Sequence, residues 1–199
     1  GLVVELIPNN VKKVVSPFLG AGSVEVAVAK ELGLPVIGYD IFDILINYWD
    51  VQLNNSKALY ERLLNFRPTR EGFKKAKDRL KKHWKKEEEL NKLDLAAYYY
   101  FNHNTSYGPH FLGWPSSVYL QAERYKTMLE KVRNFNADTL QVECASFEDI
   151  MPKHKDDFLY CDPPYYLGGD SKTFVGLYPN RNFPIHHDDF KHDKLRDFL

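Results

Sequence analysis

Asp162-Pro163-Pro164-Tyr165 sets a carboxylate, two proline carbonyls and a phenol ring in consecutive positions, directly after the apolar run ending Leu159-Tyr160-Cys161. Proline fixes φ and carries no N–H, so the pair is stiff and brings no competing donor. The combination suits an amine conjugated to an aromatic ring. Such a nitrogen is a poor nucleophile because its lone pair is delocalised. The Asp162 carboxylate and the Pro163 carbonyl can each accept one of its N–H groups, drawing the nitrogen toward tetrahedral geometry and aiming its lone pair at an electrophile. The carboxylate also stabilises positive charge that builds on nitrogen as a methyl group arrives. Tyr165 supplies a face on which a flat base can stack. Alone, the same residues could simply form a rigid exit from a strand.

A second constellation is PFLGAGSVE, Pro17 to Glu25, with Asp40 further on. Gly20 and Gly22, around Ala21, let a ligand approach the backbone closely, and an acid about 20 residues beyond such a turn can accept both hydroxyls of a ribose. Glu25 stands where a dinucleotide-binding turn has its third glycine. A pyrophosphate disfavours a neighbouring carboxylate, so a nucleoside carrying an amino acid instead of phosphates fits better. That describes S-adenosylmethionine. The competing reading is a turn that only packs a helix onto a sheet.

These residues need a sheet to hold them. KKVVSPF predicts a first strand, GAGSVEVAVAKELG a helix capped by Ser23 and ending near Gly33, LPVIGYD a second buried strand, and IFDILINYWDVQL a second helix. Strand, glycine turn, helix, strand and acid form a βαβ pattern with a parallel sheet. From Asn54 to Phe135 the strand signal disappears. Phe73, Ala76, Leu80 and Trp84 fall at helical spacing, a further helix is expected over Leu90 to Tyr100, then a polar aromatic loop beginning FNHNTSYG, and a third helix over Val118 to Asn134. TLQVECASF and DDFLYCD bring strands back, with a helical turn at FEDIM between them. The expected organisation is a catalytic α/β domain of residues 1–53 and 136–199, split by a helical insertion of residues 54–135.

Composition narrows the remainder. With 199 residues, 44% hydrophobic and 15% aromatic, the chain can build a substantial core. Its formal net charge is zero, so any nucleic-acid surface must arise from local clustering. Nine Lys or Arg against two acids between Arg70 and Lys86 provide one, although such a run is also the ordinary signature of a solvated helix face. Cys144 and Cys161 read as reduced core thiols. His103, His110, His186 and His187 lack metal-ligand spacing, so no metal is expected. No apolar run reaches the length of a membrane span, and a cytoplasmic place is expected. The chain opens at Gly1 without a methionine and stops within KHDKLRDFL, which fits a piece of a longer protein.

PFLGAGS with Asp40, then YCDPPYY with the later HHDDFKHDKLRDFL, resembles the Dam-like N6-adenine DNA methyltransferases. The order of cofactor motif, insertion and DPPY is that family's α arrangement, and FNHNTSYG resembles its stretch before a DNA-reading hairpin. The resemblance covers nearly the whole chain. It implies a Rossmann-like, S-adenosylmethionine-dependent methyltransferase sheet with a helical target-recognition insertion, acting on double-stranded DNA, with a cognate restriction endonuclease as an associated partner. By this likeness Phe18, Gly20, Ala21 and Gly22 line the cofactor, Asp40 holds its ribose, Ile41 faces its adenine, Ser146 and Phe147 meet the adenine edge, and Asp162 borders it. Asp162, Pro163, Pro164 and Tyr165 match the catalytic motif. Many members carry an acid at the position of Ser146. Lys74, Lys81 and Lys85 are candidates for phosphates, and Asn102, Asn104, Ser106 and Tyr107 for bases or the gap a flipped base leaves. Methylation of RNA or of a protein amide, or a catalytically inactive DNA-binding homologue, are the alternatives.

Overall fold

The structure is a computed structural model that describes residues 1–108, 111–164 and 190–199. Tyr165, His110, His186 and His187 lie outside the described residues. The chain divides into two compact units, residues 1–46 with 136–199 and residues 47–135.

The first unit is built on a four-stranded sheet of β1 (Val14–Ser16), β2 (Val36–Asp40), β3 (Leu140–Cys144) and β4 (Phe158–Leu159), in the order β3-β2-β1-β4. Every pairing is parallel. Val15 opposite Ile37 and Leu159, and Asp40 opposite Cys144, set the register. β1 is buried throughout, as a central parallel strand covered on both faces must be. Between β1 and β2 run α2 (Ser23–Ala27) and a π-helical turn, Val28–Leu32, that ends on Gly33 in the left-handed conformation at φ 63°. The short helix α1 (Leu2–Glu5) precedes β1. The helix α3 (Asp43–Asn54) follows β2.

Gly22 caps α2 in place of Ser23. It adopts φ 65°, its carbonyl accepts the first helical bond from Val26 N at 2.9 Å, and no side chain caps the end. α8 (Phe147–Ile150), a 3-10 turn (Met151–Lys153) and α9 (His192–Arg196) complete the unit's described elements. Val15, Tyr39, Phe147, Ile150, Met151 and Leu195 form one core cluster, edged by Phe18, Ile37, Leu159, Cys161 and Phe190. The cysteines are both free thiols, but Cys144, the last residue of edge strand β3, is exposed, and Cys161 is half-buried against the core cluster.

The second unit holds α4 (Ser56–Leu63), α5 (Arg70–Trp84), α6 (Lys92–Asn104) and α7 (Ala122–Arg133). Phe73, Ala76 and Leu80 of α5 are buried as their spacing predicts. Thr69 caps α5 through its hydroxyl, which accepts from Gly72 N at 3.0 Å. The division between units falls inside α3: Tyr48 stacks on Tyr100, and Trp49 meets Phe135, so the helix's C-terminal part belongs to the helical core. α6 runs on through Phe101–Asn104, where a loop was expected. Its apolar and aromatic residues from Leu95 to Phe101 are all buried, and packing carries the helix past the polar letters. Among the described residues, no helix is long and apolar enough to cross a membrane.

Candidate active site

Because all four strands run the same way, their carboxyl ends lie on one edge of the sheet. That edge carries the glycine turn after β1, Asp40 and Ile41 after β2, Ser146 and Phe147 after β3, and Asp162 to Pro164 after β4. Ligands of open parallel sheets bind at this edge.

The glycine turn is bonded to β2 at two points, Leu19 N donating to Tyr39 O at 2.7 Å and Gly20 N to Asp40 Oδ2 at 3.0 Å, and is closed on itself by Gly22 N to Leu19 O at 2.8 Å. Gly20 adopts φ 48°, and a Cβ placed there would meet no atom within 4 Å. Its need for glycine is therefore conformational, with open space beside it. Asp40 takes a second backbone bond, from Phe42 N to Oδ1 at 3.0 Å. One lone-pair site on each oxygen remains for further donors. Ala21 is exposed and Gly22 buried.

Ile41 is half exposed, and its carbonyl lies 3.7 Å from Cys144 Sγ. Ser146 caps α8, its hydroxyl accepting from Glu148 N at 3.3 Å, and so fixes the start of that helix. Phe147 is buried, with Phe18 at 5.6 Å and Phe190 at 5.2 Å between ring centroids. Phe18 and Phe190 meet edge-on at 5.5 Å, closing a three-ring cluster.

Asp162 is exposed at the end of β4, and Pro163 and Pro164 are half-buried. The Pro164 carbonyl accepts from His192 Nε2 at 2.8 Å. Behind Asp162 lies a buried pair absent from the expectations: the Ser16 hydroxyl donates to Glu25 Oε1 at 2.5 Å. Burial pushes the Glu25 carboxyl up, the Ser16 bond opposes this, and the charges of Asp162 and Asp40 raise it further. Glu25, Asp40 and Asp162 thus share one electrostatic environment. The thiols are not poised as nucleophiles: burial pushes Cys161 up, and at Cys144, exposed as a residue, partial desolvation of the thiol with the charges of Asp43 and Asp40 does the same. No cluster of metal-ligating residues exists among the described residues.

In the helical unit, Lys74 and Lys85 of the basic run are exposed and Lys81 half-buried, with Lys85 also 3.9 Å from Glu87. The residues read as base contacts separate into two groups. Tyr107 is 79% exposed, held by its N–H on Trp114 O at 2.7 Å beside the antiparallel bridge between Ser106 and Pro115. Asn102 and Ser106 are buried and bond inward. Asn102 Oδ1 accepts from Leu112 N at 2.8 Å, and the Ser106 hydroxyl donates to Asn102 O at 2.7 Å. They hold the turn together from inside. Asn104, half-buried, donates to Tyr100 O at 3.0 Å. Trp114, 64% exposed with Lys77 Nζ 5.0 Å from its ring, joins Tyr107 on the surface. For Trp114 the available sequence signal was an aromatic residue in the turn-forming GWP that follows FNHNTSYG.

The all-parallel sheet, with its glycine turn, acid and proline pair on one edge, defines a Rossmann-like methyltransferase fold. The chain belongs to the D12 class N6 adenine-specific DNA methyltransferases, whose sequence model matches residues 2–199. It is an enzyme that methylates adenine at N6 in DNA, drawing on a methyl donor. A comparison with curated proteins found no match.

Proposed function

We propose that the donor is S-adenosylmethionine and that the acceptor is an adenine flipped out of a specific sequence in double-stranded DNA. The observation that carries this reading is the convergence of Gly20, Asp40, Phe147 and Asp162 on one edge of a parallel sheet. The edge suits a cation: Asp40 and Asp162 both act electrostatically on buried Glu25, and residues 17–23 contain no Lys or Arg to hold phosphate. The donor, when bound, supplies a methyl carbon made electrophilic by sulfonium.

The chain's own residues do the rest. Phe18, Gly20, Ala21 and Gly22 line the donor, Asp40 accepts its ribose hydroxyls, and Ile41, Ser146 and Phe147 border its adenine. Asp162 and the Pro163 carbonyl accept hydrogen bonds from the two N6–H groups, turning the lone pair toward the methyl carbon; as the N–C bond forms the methyl–sulfur bond breaks, and Asp162 stabilises the positive charge on nitrogen until one N–H proton is lost through it to solvent. Tyr165 stacks on the flipped base. Alignment of nitrogen and methyl supplies much of the rate. In the helical unit, Lys74, Lys81 and Lys85 contact phosphates, while Asn104 and Tyr107 approach bases. A DNA substrate fits a cytoplasmic enzyme, and a restriction endonuclease of the same sequence is the partner class that such methylation would block.

Incubation with methyl-labelled S-adenosylmethionine and unmethylated duplex DNA or RNA, followed by mass spectrometry of nucleosides, tests the reading. Labelled N6-methyldeoxyadenosine from duplex DNA is expected. Label appearing only in RNA or in protein would overturn it.

A further inference from the structure

We infer that His192 is a positioning residue for methyl transfer, locking the proline pair of the catalytic turn to the aromatic cluster beside the donor. The inference rests on the donor and acceptor sites proposed above. His192 opens α9, 28 residues beyond Pro164, and its Nε2 reaches the Pro164 carbonyl at 2.8 Å. A carbonyl only accepts, so Nε2 carries the proton of this bond. The Nε2–H tautomer leaves Nδ1 without a proton for Phe190 O, 3.1 Å away, so the link to Phe190 is made by its ring, edge-on to the imidazole at 4.7 Å. Phe190 in turn packs on Phe18 and Phe147. One side chain therefore joins the turn that grips the amine to the rings that border the donor.

The support is anchored in the core. Leu195, one turn further along α9, is buried in the core cluster, and Lys194 Nζ pairs with Glu148 Oε2 of α8 at 2.8 Å. Proline has no N–H with which to anchor its own turn, so the turn's orientation depends on donors brought to its carbonyls. With the Pro164 carbonyl engaged by His192, the adjoining Pro163 carbonyl and the Asp162 carboxylate are held in a fixed relation to the donor. A displacement of about 1 Å between amine and methyl can cost about a hundredfold in rate.

The test compares the full chain with His192→Phe, which keeps the ring packing and removes the donor, and His192→Gln, whose amide nitrogen can replace Nε2–H. In His192→Phe, kcat for DNA methylation should fall by about ten- to a hundredfold, while KM for S-adenosylmethionine and DNA affinity stay within about twofold. His192→Gln should recover most of the loss. Equal kcat in all three proteins, or parallel collapse of kcat, KM and melting temperature in both variants, would overturn the inference. Long-range 1H–15N spectra of histidine-labelled protein read the hydrogen bond without activity. A slowly exchanging Nε2 proton, lost in His192→Phe, is expected, and its absence from the unsubstituted chain would also overturn the inference. Failure of the unsubstituted chain to make N6-methyldeoxyadenosine would instead fault the functional reading.

Discussion

Ser16 and Glu25 close the base of the glycine turn: the hydroxyl at the end of β1 donates to a carboxyl in the first turn of α2 at 2.5 Å, with both side chains buried. The bond ties together the residues on either side of the segment proposed to line the donor. It also sets an acid behind Asp162 and Asp40, whose charges act against its ionisation.

Glu25 should therefore make stability depend on pH in a defined direction. Its native pKa is raised, chiefly by burial, so the folded chain holds this proton more tightly than the unfolded chain. The stability it contributes is complete below the ordinary glutamate value and is lost as pH rises through the raised one. Glu25→Gln, which keeps an acceptor for Ser16, should be more stable than the parent under mildly alkaline conditions and show no such advantage in acid. Urea midpoints across pH measure this; a variant that gains nothing on the parent as pH rises would contradict the raised Glu25 value.

Asn102 should act through the turn it holds. Asn102→Ala leaves the buried Leu112 N–H without its acceptor, a loss of about 1–3 kcal/mol. Denaturation should report that loss, together with increased proteolysis near the turn. An unchanged midpoint would mean that Leu112 N–H finds another partner.

Tyr107 should do the reverse. At 79% exposure it contributes little to the fold. Tyr107→Ala should leave the melting temperature in place and weaken binding to duplex DNA by about 1–3 kcal/mol, the range for a stacked base. Fluorescence anisotropy with labelled duplex checks this, and undiminished affinity would remove Tyr107 from the interface.

The basic face of α5 should show itself in salt dependence. Replacing Lys74, Lys81 and Lys85 by Gln should flatten the slope of log affinity against log salt by about 0.9 for each phosphate that is no longer neutralised. An unaltered slope would leave the run a solvated helix face.

The parallel sheet was legible because Val14–Ser16 and Val36–Asp40 are short β-branched runs separated by a glycine turn and a helix. Helix α4 passed unread: only Leu59 and Leu63 of Ser56–Leu63 are buried, too few to show a periodic stripe. α6 outran its expected end because Asn102, a residue that usually favours turns, satisfies its carbonyl oxygen on Leu112 N inside the fold. At the site, residue identity and order along the chain singled out Gly20, Gly22, Asp40 and Asp162. The hydrogen bonds of Ser16 with Glu25 and of Pro164 with His192 were not legible, because the first arises only when α2 folds back on the end of β1 and the second only when α9 is brought to the turn after β4. Its sequence position marks Glu25 only as the wrong residue for a pyrophosphate; its buried partner, Ser16, emerges from the fold.

Asp162 is the group on which the proposed chemistry depends, since it holds the adenine amine for methyl transfer. Its replacement in Asp162→Ala separates binding from reaction. S-adenosylmethionine binding, followed by calorimetry, should be largely retained, because Gly20, Asp40 and Phe147 are untouched. Formation of labelled N6-methyldeoxyadenosine in duplex DNA, followed by mass spectrometry, should be abolished. Methylation at the unsubstituted rate would rule out that role for Asp162.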